Sequence, residues 1–480
     1  MLKGWRLGTA WIALAALTAC GGGGGGSGAS SPPPSASNPP PPPPPAASAC
    51  SLRERQNWAA AQLQEWYLFP ETLPANPNPA GYATVSDYID YLTSAARAQG
   101  RDRFFTYLTS IAEENAYYQS GSSAGFGIRL SLDPSNRLLV TEAFEGAPAL
   151  AAGIDRGTEI LAIGTNGATL RSVATILASE GSIGLTNALG PTQAGVSRVL
   201  RVSDAGGTRD VTVAKADFEL QPVSERYGAR IIDDGGRRVG YINLRTFIST
   251  ADPALVNAFA QFRAQGITDI ILDLRYNGGG LVSTAELLGD LLGGNRSTGD
   301  VFSFTRFRTS KAQFDETRNF QPRPESVSPT RIAFIGTEGS ASASELVINA
   351  FVPYLRQNAA LVGTNTYGKP VGQIGLDRPE CDDRLRVVAF ATRNRDNQGD
   401  YYFGLANTVE ASCQAPDDLT RPLGDPQESS VARALDFLAG RPCTAIARAA
   451  GARRQAFGPR RELLAPERPS TAQREVPGLF

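Results

Sequence analysis

From Val239 onward, short apolar segments alternate with segments of helical periodicity, and this alternation constrains the fold more than any other feature. The apolar segments have the length of buried strands and lie at 241–244, 270–274 and 331–335. Between them, residues 253–264 and 284–292 carry apolar side chains at helical spacing. Strands that alternate with helices are typical of a mostly parallel sheet covered by helices. The sequence therefore predicts an α/β core within residues 221–445.

Two different patterns precede this core. Residues 50–119 carry apolar side chains at helical spacing, including a third helix predicted through Phe105, Leu108 and Ile111. Residues 120–220 change to short apolar segments that are typical of strands, with a short helix among them. The sequence thus predicts an N-terminal helical segment and a small β-rich domain ahead of the α/β core.

The first 49 residues have the composition of a targeting segment followed by a linker. A positive start and a short apolar run predict a signal peptide at 1–19. Its last residues and Cys20 resemble the lipobox of bacterial lipoproteins, which implies cleavage before Cys20, a lipid anchor on it and an outer-membrane location facing the periplasm. The Gly-, Ser- and Pro-rich linker at 20–49 is expected to hold the protein away from the membrane. A plain secretory signal with a chance cysteine is the alternative.

Four further cysteines follow in a chain that we expect to be exported: Cys50, Cys381, Cys413 and Cys443. An even number of cysteines in such a chain indicates two disulfides, for which three pairings exist. We expect Cys381 to pair with Cys413, and Cys50 with Cys443. Their spacing matches no metal site, and we expect no metal or cofactor.

The chain contains no histidine, which excludes a hydrolase of the Ser-His-Asp type. Only a lysine made neutral by its surroundings could then activate a serine hydroxyl. Of the 46 basic residues only four are lysines, and arginine cannot act as a base. One of these lysines, Lys369, lies four residues before Gln373. The formal net charge of −1 gives no indication of a nucleic-acid partner.

A serine motif, Ser342-Ala343-Ser344-Glu345, follows an apolar strand and begins a predicted helix. Ser-x-x-Glu is typical of a capping box, in which Ser342 would cap the helix. A serine at a helix start also lies where backbone amides and the helix dipole can stabilise an oxyanion. The two interpretations are compatible, and the motif alone leaves both open.

Two further segments could contribute to such a site. The glycines at 278–280 let backbone amides approach a ligand closely, although a plain tight turn is the simpler interpretation. A lysine that acts as a base must have a pKa far below its usual value of about 10.4. Burial lowers the pKa of lysine in this way. The apolar neighbours Tyr367 and Val371 favour burial of Lys369, and an exposed lysine is the alternative.

The motifs Asp-Leu-Arg-x-Asn-Gly-Gly-Gly-Leu, Ser-Ala-Ser-Glu and Gly-Lys, with glutamine four residues after the lysine, together resemble the carboxyl-terminal processing peptidases, or tail-specific proteases. This resemblance implies a crotonase-like α/β core that follows a PDZ domain at 120–220. It implies Ser342 as the nucleophile, Lys369 as the general base and Gln373 as the residue that orients the lysine. The implied oxyanion hole is formed by the amides of Gly280 and Ala343, with Gly279 as the neighbouring candidate.

The same resemblance extends to the small β-rich domain. Gly125, Phe126, Gly127 and Ile128 stand where a PDZ domain has its carboxylate-binding loop. A PDZ domain binds an extended C-terminus as an added strand. The resemblance thus implies protein or peptide substrates with apolar C-termini and leaves room for an activator protein. A glycine-rich hairpin that binds nothing is the alternative.

Two departures from the family pattern affect the catalytic assignment. The interval between Ser342 and Lys369 is about two residues longer than the family pattern, which leaves Ser344 as an alternative nucleophile. Pro370 replaces the usual glycine after the lysine and removes one backbone donor.

The sequence as a whole predicts an exported, membrane-tethered serine endopeptidase. A catalytically silent scaffold that binds protein C-termini is the main alternative, and a structural envelope lipoprotein is a weaker one. The Arg- and Pro-rich tail at 446–480 is predicted to be disordered. Its apolar end, Val476 to Phe480, suggests the further hypothesis that the tail docks on the PDZ domain and inhibits the protein, with a free tail as the alternative.

Overall fold

The computed structural model describes residues 49–447 and 461–480. The predicted signal peptide at 1–19, Cys20, the linker up to residue 48 and residues 448–460 lie outside the described residues. Among the residues that are described, no helix is both long enough and apolar enough to span a membrane.

The N-terminal region is mainly helical, as predicted. Its elements are α1 (Leu52–Trp66), α2 (Val85–Leu92), α3 (Ser94–Ala98), β1 (Tyr107–Ser110) and α4 (Ile111–Ser120). The third predicted helix is wrong in its first half, because residues 107–110 pair antiparallel with residues 383–386 and form a strand. The helix begins only at Ile111, where the Ser110 hydroxyl accepts the Glu113 amide at 3.1 Å. Pairing with a distant strand thus overrides the local periodicity.

Residues 122–219 form a small domain around an antiparallel sheet. Its elements are β2 (Ser122–Gly125), β3 (Ile128–Leu132), β4 (Leu138–Ala143), α5 (Pro148–Ala151), β5 (Glu159–Gly164), β6 (Arg171–Ser172), α6 (Val173–Leu189), β7 (Ser197–Asp204), β8 (Gly207–Ala214) and β9 (Ala216–Glu219). The strand order is β3-β4-β5-β7-β8, with β6 beside β5. The first and last strands, β2 and β9, pair with each other, so the domain starts and finishes at the same place.

The large core is an α/β structure, as the alternation predicts. Its elements are β10 (Ala229–Asp234), β11 (Arg237–Asn243), α7 (Ala251–Ala264), β12 (Asp269–Asp273), α8 (Val282–Leu292), β13 (Val301–Phe307), β14 (Glu316–Asn319), β15 (Arg331–Gly336), α9 (Ala343–Leu355), β16 (Ala359–Gly363), β17 (Val371–Arg378), β18 (Asp383–Arg393), β19 (Ala411–Gln414) and α10 (Ser429–Leu438). Six strands form one sheet in the order β10-β11-β12-β15-β16-β19, and all pairs except β10–β11 are parallel.

Alternating side chains of β12 show why this sheet is covered on both faces. Ile270 and Leu272 belong to the buried cluster formed with α7, α8 and α9. Ile271 points the other way, into the cluster that contains Val431 and Leu435 of α10. Successive side chains of a strand lie on opposite faces, so a strand that is apolar throughout needs a layer of helix on each side.

A second sheet joins the core to the N-terminal region. It contains β1, β18, β13 and β14, with β17 also paired to β18. Leu385 and Val387 of β18 share one buried cluster with Ala59 and Leu63 of α1. The N-terminal helices therefore pack on the strands that follow the segment of Lys369, and they have no separate core.

The structure corrects the expected disulfide pairing. The bonds are Cys50–Cys381 and Cys413–Cys443, each with a Cα–Cα distance of 5.5 Å. Cys381 lies in the turn between β17 and β18, against the start of α1, whereas Cys413 lies in β19 of the other sheet. The predicted partners are therefore separated by the layers of the fold, which sequence spacing does not reveal.

The prediction of a disordered tail is wrong for residues 461–480. They form β20 (Glu462–Leu463), which pairs antiparallel with β3, and α11 (Thr471–Glu475), which packs against α4. Val476, Leu479 and Phe480 are all buried. Composition indicated disorder, but tertiary contacts order this segment, which we call the C-terminal tail.

Candidate catalytic site

Ser342 occupies a sharp turn between β15 and the first residue of α9. Its φ of 54° lies in the left-handed region, which is unfavourable for a residue with a Cβ atom. Neighbouring bonds hold it there, since its amide donates to Glu345 Oε2 at 3.2 Å and its carbonyl accepts the Leu346 amide at 2.8 Å. The turn leaves Ser342 partly exposed at the N-terminus of a 13-residue helix.

Ser344, the alternative nucleophile, has a very different environment. Its side chain is fully buried, and its Oγ donates to the Asn277 carbonyl at 2.9 Å. An incoming substrate cannot reach this hydroxyl without displacing the loop of Asn277. The geometry therefore favours Ser342 over Ser344.

The glycines after β12 bring backbone against Ser342. A Cβ atom on Gly279 would lie 2.7 Å from the Ser342 Cβ and 3.1 Å from the Ala343 nitrogen. Gly279 and Gly280 both have positive φ, 121° and 133°, which glycine adopts without strain. A side chain at either position would displace this loop, so the close approach requires glycine.

The three predicted oxyanion donors differ in availability. The Gly279 amide donates to Asn277 Oδ1 at 3.0 Å, and Asn277 Nδ2 in turn donates to the Leu244 carbonyl. Within the described residues, no acceptor is bonded to the amide of Gly280 or of Ala343. Two amides next to Ser342 are thus available to a ligand oxygen, and the third is already occupied.

Lys369 and Gln373 come together as their spacing predicts. Lys369 lies between β16 and β17, and its Nζ donates to Gln373 Oε1 at 2.9 Å. Gln373 Nε2 donates in turn to the Phe105 carbonyl, and the Phe105 ring centroid lies 5.1 Å from Lys369 Nζ. Burial lowers the pKa of Lys369, while the charge of Glu475 opposes this change. Lys369 therefore has the environment that a basic amine needs.

Glu345 connects the serine and lysine segments, a role that sequence reasoning missed. Its fully buried carboxylate accepts the Lys369 amide through Oε2 at 2.7 Å and the Gly368 amide through Oε1 at 2.7 Å. Oε2 also accepts the Ser342 amide at 3.2 Å, so the amide nitrogens of Ser342 and Lys369 are at most about 5.9 Å apart. Burial raises the pKa of Glu345. The Ser-x-x-Glu pattern was the available signal, but it indicated only a helix cap.

The N-terminal region supplies residues that no motif indicated. The fully buried Asp102 accepts the Phe105 amide at 2.8 Å, and the Tyr67 hydroxyl donates to it. Arg103 donates to the carbonyls of Tyr367 and Gly368. These contacts hold the Phe105 carbonyl where Gln373 needs it, more than 260 residues away in the sequence.

Within the part of the chain that the structure describes, no cluster of three or more Asp, Glu or Cys side chains is arranged to hold a metal ion. No hydrogen bond between Ser342 Oγ and Lys369 Nζ occurs among these residues either, although the two segments share the Glu345 carboxylate. The arrangement combines a partly exposed hydroxyl on a strained turn, an amine whose pKa is lowered by desolvation, and two available amides. Such a set suits nucleophilic acyl transfer.

Comparison with known proteins is consistent with this geometry. The sequence model described as peptidase family S41 matches residues 238–401, which span both β12 and the Lys369 segment. The chain is 29% identical over 339 residues to the chloroplastic carboxyl-terminal-processing peptidase 3 of Arabidopsis thaliana, covering 68% of this chain and 61% of the relative. It is 28% identical over 253 residues to the carboxyl-terminal-processing protease of a Synechocystis species, covering 52% and 54%. Residues 238–401 of this chain are thus similar to peptidase family S41.

The fold is also similar to that of a solved structure. The crystal structure of a Bacteroides fragilis protein described as an S41 protease superposes with a TM-score of 0.63 at 22% identity, covering 80% of this chain and 97% of that one. The predicted resemblance to carboxyl-terminal processing peptidases is borne out by the family model and by these relatives. The chain spans between about a half and three-fifths of the length of the two curated relatives.

The predicted carboxylate-binding loop lies between β2 and β3 and holds Phe480. The amides of Gly127 and Ile128 donate to the terminal Phe480 oxygen at 2.9 and 3.2 Å. The Gly125 backbone lies against the same carboxyl group, since a Cβ atom there would be 2.8 Å from the Phe480 carbonyl carbon. Phe126 belongs to the buried cluster that also contains the Phe480 ring. All four predicted residues thus surround a peptide terminus.

Buried charges join the small domain to the core beside this loop. Arg245 of the core donates to Glu142 at 2.6 Å and to Glu145 at 2.7 Å, and Glu142 also pairs with Arg129. Although burial raises the pKa of Glu145, the charge and hydrogen bond of Arg245 hold it at about 2. Removing one partner of such a network leaves an uncompensated buried charge, so the two domains are held in one relative position.

Proposed function

We propose that this chain is an exported serine endopeptidase that uses a Ser-Lys mechanism. The observation that carries the proposal is the shared Glu345 carboxylate, which brings the amides of Ser342 and Lys369 together. In a chain without histidine, a lysine whose pKa is lowered by desolvation, close to a partly exposed serine, is the remaining route to an activated hydroxyl.

In the acylation step, Ser342 Oγ attacks the carbonyl carbon of the scissile bond while neutral Lys369 Nζ accepts the hydroxyl proton. The carbonyl oxygen becomes the oxyanion and accepts the amides of Gly280 and Ala343, assisted by the N-terminus of α9. Lys369 then returns its proton to the leaving amine, and the carbon–nitrogen bond breaks. Water, activated by the same amine, releases the second product from the Ser342 ester.

Gln373 acts as a positioning residue in this scheme. Its Oε1 accepts from Lys369 Nζ, and its Nε2 is held by the Phe105 carbonyl. The amide side chain therefore has a defined orientation and fixes the direction of the lysine lone pair. Gly279 shapes the loop but keeps its amide bonded to Asn277, so Gly280 and Ala343 are the oxyanion donors.

Substrates are recognised by their C-termini in the small domain, which acts as a PDZ domain. The support is the bond set that residues 125–128 make to a terminal carboxyl group and the apolar surroundings of the Phe480 ring. Carboxylate capture by loop amides with strand addition is the recognition mode of PDZ domains. Proteins with apolar C-termini are thus the substrate class.

The protein acts in the cell envelope, anchored through lipid on Cys20. Two disulfides within the described residues support an oxidising compartment, and the lipobox-like end of the signal peptide supports the anchor.

The test is cleavage of an unfolded protein that ends in Leu-Phe, followed by mass spectrometry of the products. Ser342→Ala and Lys369→Met should lower kcat at least about 10⁴-fold, the scale of losses for residues that act as a catalytic unit. Lys311→Met is the matched control, because Lys311 pairs with Glu65 and touches no site residue.

Ser344→Ala completes the series. It removes a buried hydrogen bond but should retain measurable turnover. Binding of the substrate tail without cleavage by the wild type would support the silent scaffold and overturn the proposed function.

A further inference from the structure

We propose that the C-terminal tail, residues 461–480, is an intramolecular inhibitor that occupies the recognition loop and covers the catalytic loop at the same time. This inference rests on the proposed function and adds a mode of regulation to the same site. It makes the described chain a resting state, which a substrate C-terminus must open by competition.

The tail binds the recognition loop as a substrate strand would. Besides the bonds to its terminal oxygen, the Phe480 amide donates to the Ile128 carbonyl at 2.8 Å, and the Leu130 amide donates to the Gly478 carbonyl at 2.8 Å. Arg129 and Leu479 form an antiparallel bridge. These are the main-chain bonds of an added strand on β3, so no second peptide can bind there while the tail remains.

The preceding residues of the tail lie on the catalytic loop. The Gly278 amide donates to the Glu475 carbonyl at 2.9 Å, and a Cβ atom on Gly278 would lie 2.3 Å from the Arg474 carbonyl oxygen. Gly278 is one residue from Gly279, which touches Ser342. A tail backbone in this position blocks the approach of a substrate to the loop that carries the oxyanion donors.

One buried arginine connects the two places that the tail occupies. Arg129 is fully buried, and its Nη1 donates to the Pro477 carbonyl at 2.7 Å and to the Tyr276 carbonyl at 2.9 Å. Tyr276 begins the loop that continues through Asn277 to the glycines. The guanidinium group of Arg129, a residue of β3, is therefore bonded both to the C-terminal tail and to the catalytic loop.

The tail also places two opposite charges near Lys369. Glu475 is buried, accepts the Tyr118 hydroxyl at 2.9 Å and interacts electrostatically with Lys369. Its carboxylate works against the lowering of the Lys369 pKa by burial, whereas Arg474 of the same tail acts in the direction of burial. The inhibition therefore rests on the obstruction of the loop and not on the charge of the tail.

The tail contributes apolar contacts that make docking stable. Ala472, Val476 and Leu479 lie in one buried cluster with aromatic residues of α4 and the small domain. Because the ligand belongs to the same chain, its effective concentration is of the order of millimolar, and a free substrate must compete against that value.

The experiment compares the full chain with two versions whose tail cannot dock. Phe480→Asp places a charge in the apolar pocket, and a Gly-Ser-Gly-Ser extension after Phe480 keeps every residue but moves the free carboxylate away. Glu467→Gln is the matched control, since Glu467 is an exposed residue of the same tail. Both released versions should cleave the unfolded substrate about tenfold faster or more, and the control should match the wild type.

A binding measurement keeps the inference separate from catalysis. In a Ser342→Ala background, a fluorescent peptide with the sequence of residues 471–480 should bind the released versions at least about tenfold more tightly than the undisturbed chain. The same peptide with an amidated C-terminus should bind none of them. Fluorescence anisotropy provides the dissociation constants.

The outcomes distinguish the two proposals. Equal binding of the peptide to released and undisturbed chains would overturn the inhibitor while leaving the proposed function intact. Tighter binding to the released chains with no cleavage by any version would support docking and overturn the proposed function. If the wild type cleaves off its own tail and Ser342→Ala does not, the tail is a substrate of its own site. That result would also overturn the proposal that the tail is an inhibitor.

Discussion

The two ends of the described chain both reach the segment of Lys369, but they are held in opposite ways. The N-terminal region is joined by the Cys50–Cys381 bond and shares a buried cluster with β18. The C-terminal tail is held only by hydrogen bonds, apolar contacts and ion pairs. The first end supplies the Phe105 carbonyl to Gln373, whereas the second covers the catalytic loop. The N-terminal region, which contacts Gln373, is secured by a disulfide, whereas the C-terminal tail, which we propose to leave the site, is not.

The strongest test of this contrast is removal of the covalent link. Cys50→Ala with Cys381→Ala should lower the free energy of unfolding by about 6 kcal/mol, because the bond closes a very long loop in the unfolded chain. Urea unfolding followed by the fluorescence of Trp58 and Trp66, both in α1, measures the change.

The second disulfide provides the control. The Cys413–Cys443 bond spans only 30 residues. Its removal by Cys413→Ala with Cys443→Ala should therefore lower the free energy of unfolding by about 2 kcal/mol less than removal of the first bond. Equal losses for the two double variants would contradict the special role assigned to the N-terminal link.

The next effect concerns the contact that the N-terminal region makes with Gln373, the partner of Lys369. Gln373→Leu should lower kcat about a hundredfold with little change in KM, since the lysine remains but is no longer oriented. Loss of the Oε1 acceptor removes a bond that favours the ammonium form, so the pKa of Lys369 should fall.

The pH profile separates orientation from simple misfolding. The base must be neutral, so the rate should rise with pH through the lowered pKa of Lys369 in the wild type. In Gln373→Leu this rise should occur at lower pH despite the smaller maximum. An unchanged midpoint would argue that Gln373 does not act on the lysine.

The smallest effect is expected from the outer contacts of the tail. Arg468 pairs with Asp87 and Asp90 of α2 on the surface, where an ion pair is worth about 0–1 kcal/mol. Arg468→Ala should loosen the tail and raise the cleavage rate about two- to threefold, and high salt should have a similar effect on the wild type. A rise as large as that of Phe480→Asp would indicate that the ion pairs, and not the carboxylate, hold the tail.

Sequence reasoning succeeded where the signal is local. Alternating periodicity predicted the strands around β12 and β15, and Ser-x-x-Glu predicted that a helix begins after Ser342. The four-residue spacing predicted that Lys369 and Gln373 face each other, and their bond of 2.9 Å bears this out. Each of these features depends on residues only a few positions apart.

Sequence reasoning failed where contacts between distant segments determine the structure. The strand at 107–110 forms because residues 383–386 pair with it, and the cysteines pair according to the layers of the fold. The order of residues 461–480 comes from their contacts with β3 and α4 and not from their composition. The hypothesis of a self-docked apolar terminus came from the last five residues, but its reach to the catalytic loop did not.

By itself the sequence determined which chemistry the chain could use. Without histidine, a serine at a helix start and one lysine with a glutamine four residues away leave few mechanisms, because functional groups are set by composition and spacing. Only the tertiary structure buried Ser344, placed the lysine beside Phe105 and laid the tail across the catalytic loop. Backbone turns, burial and occupancy arise from contacts between segments hundreds of residues apart, and no local pattern records them.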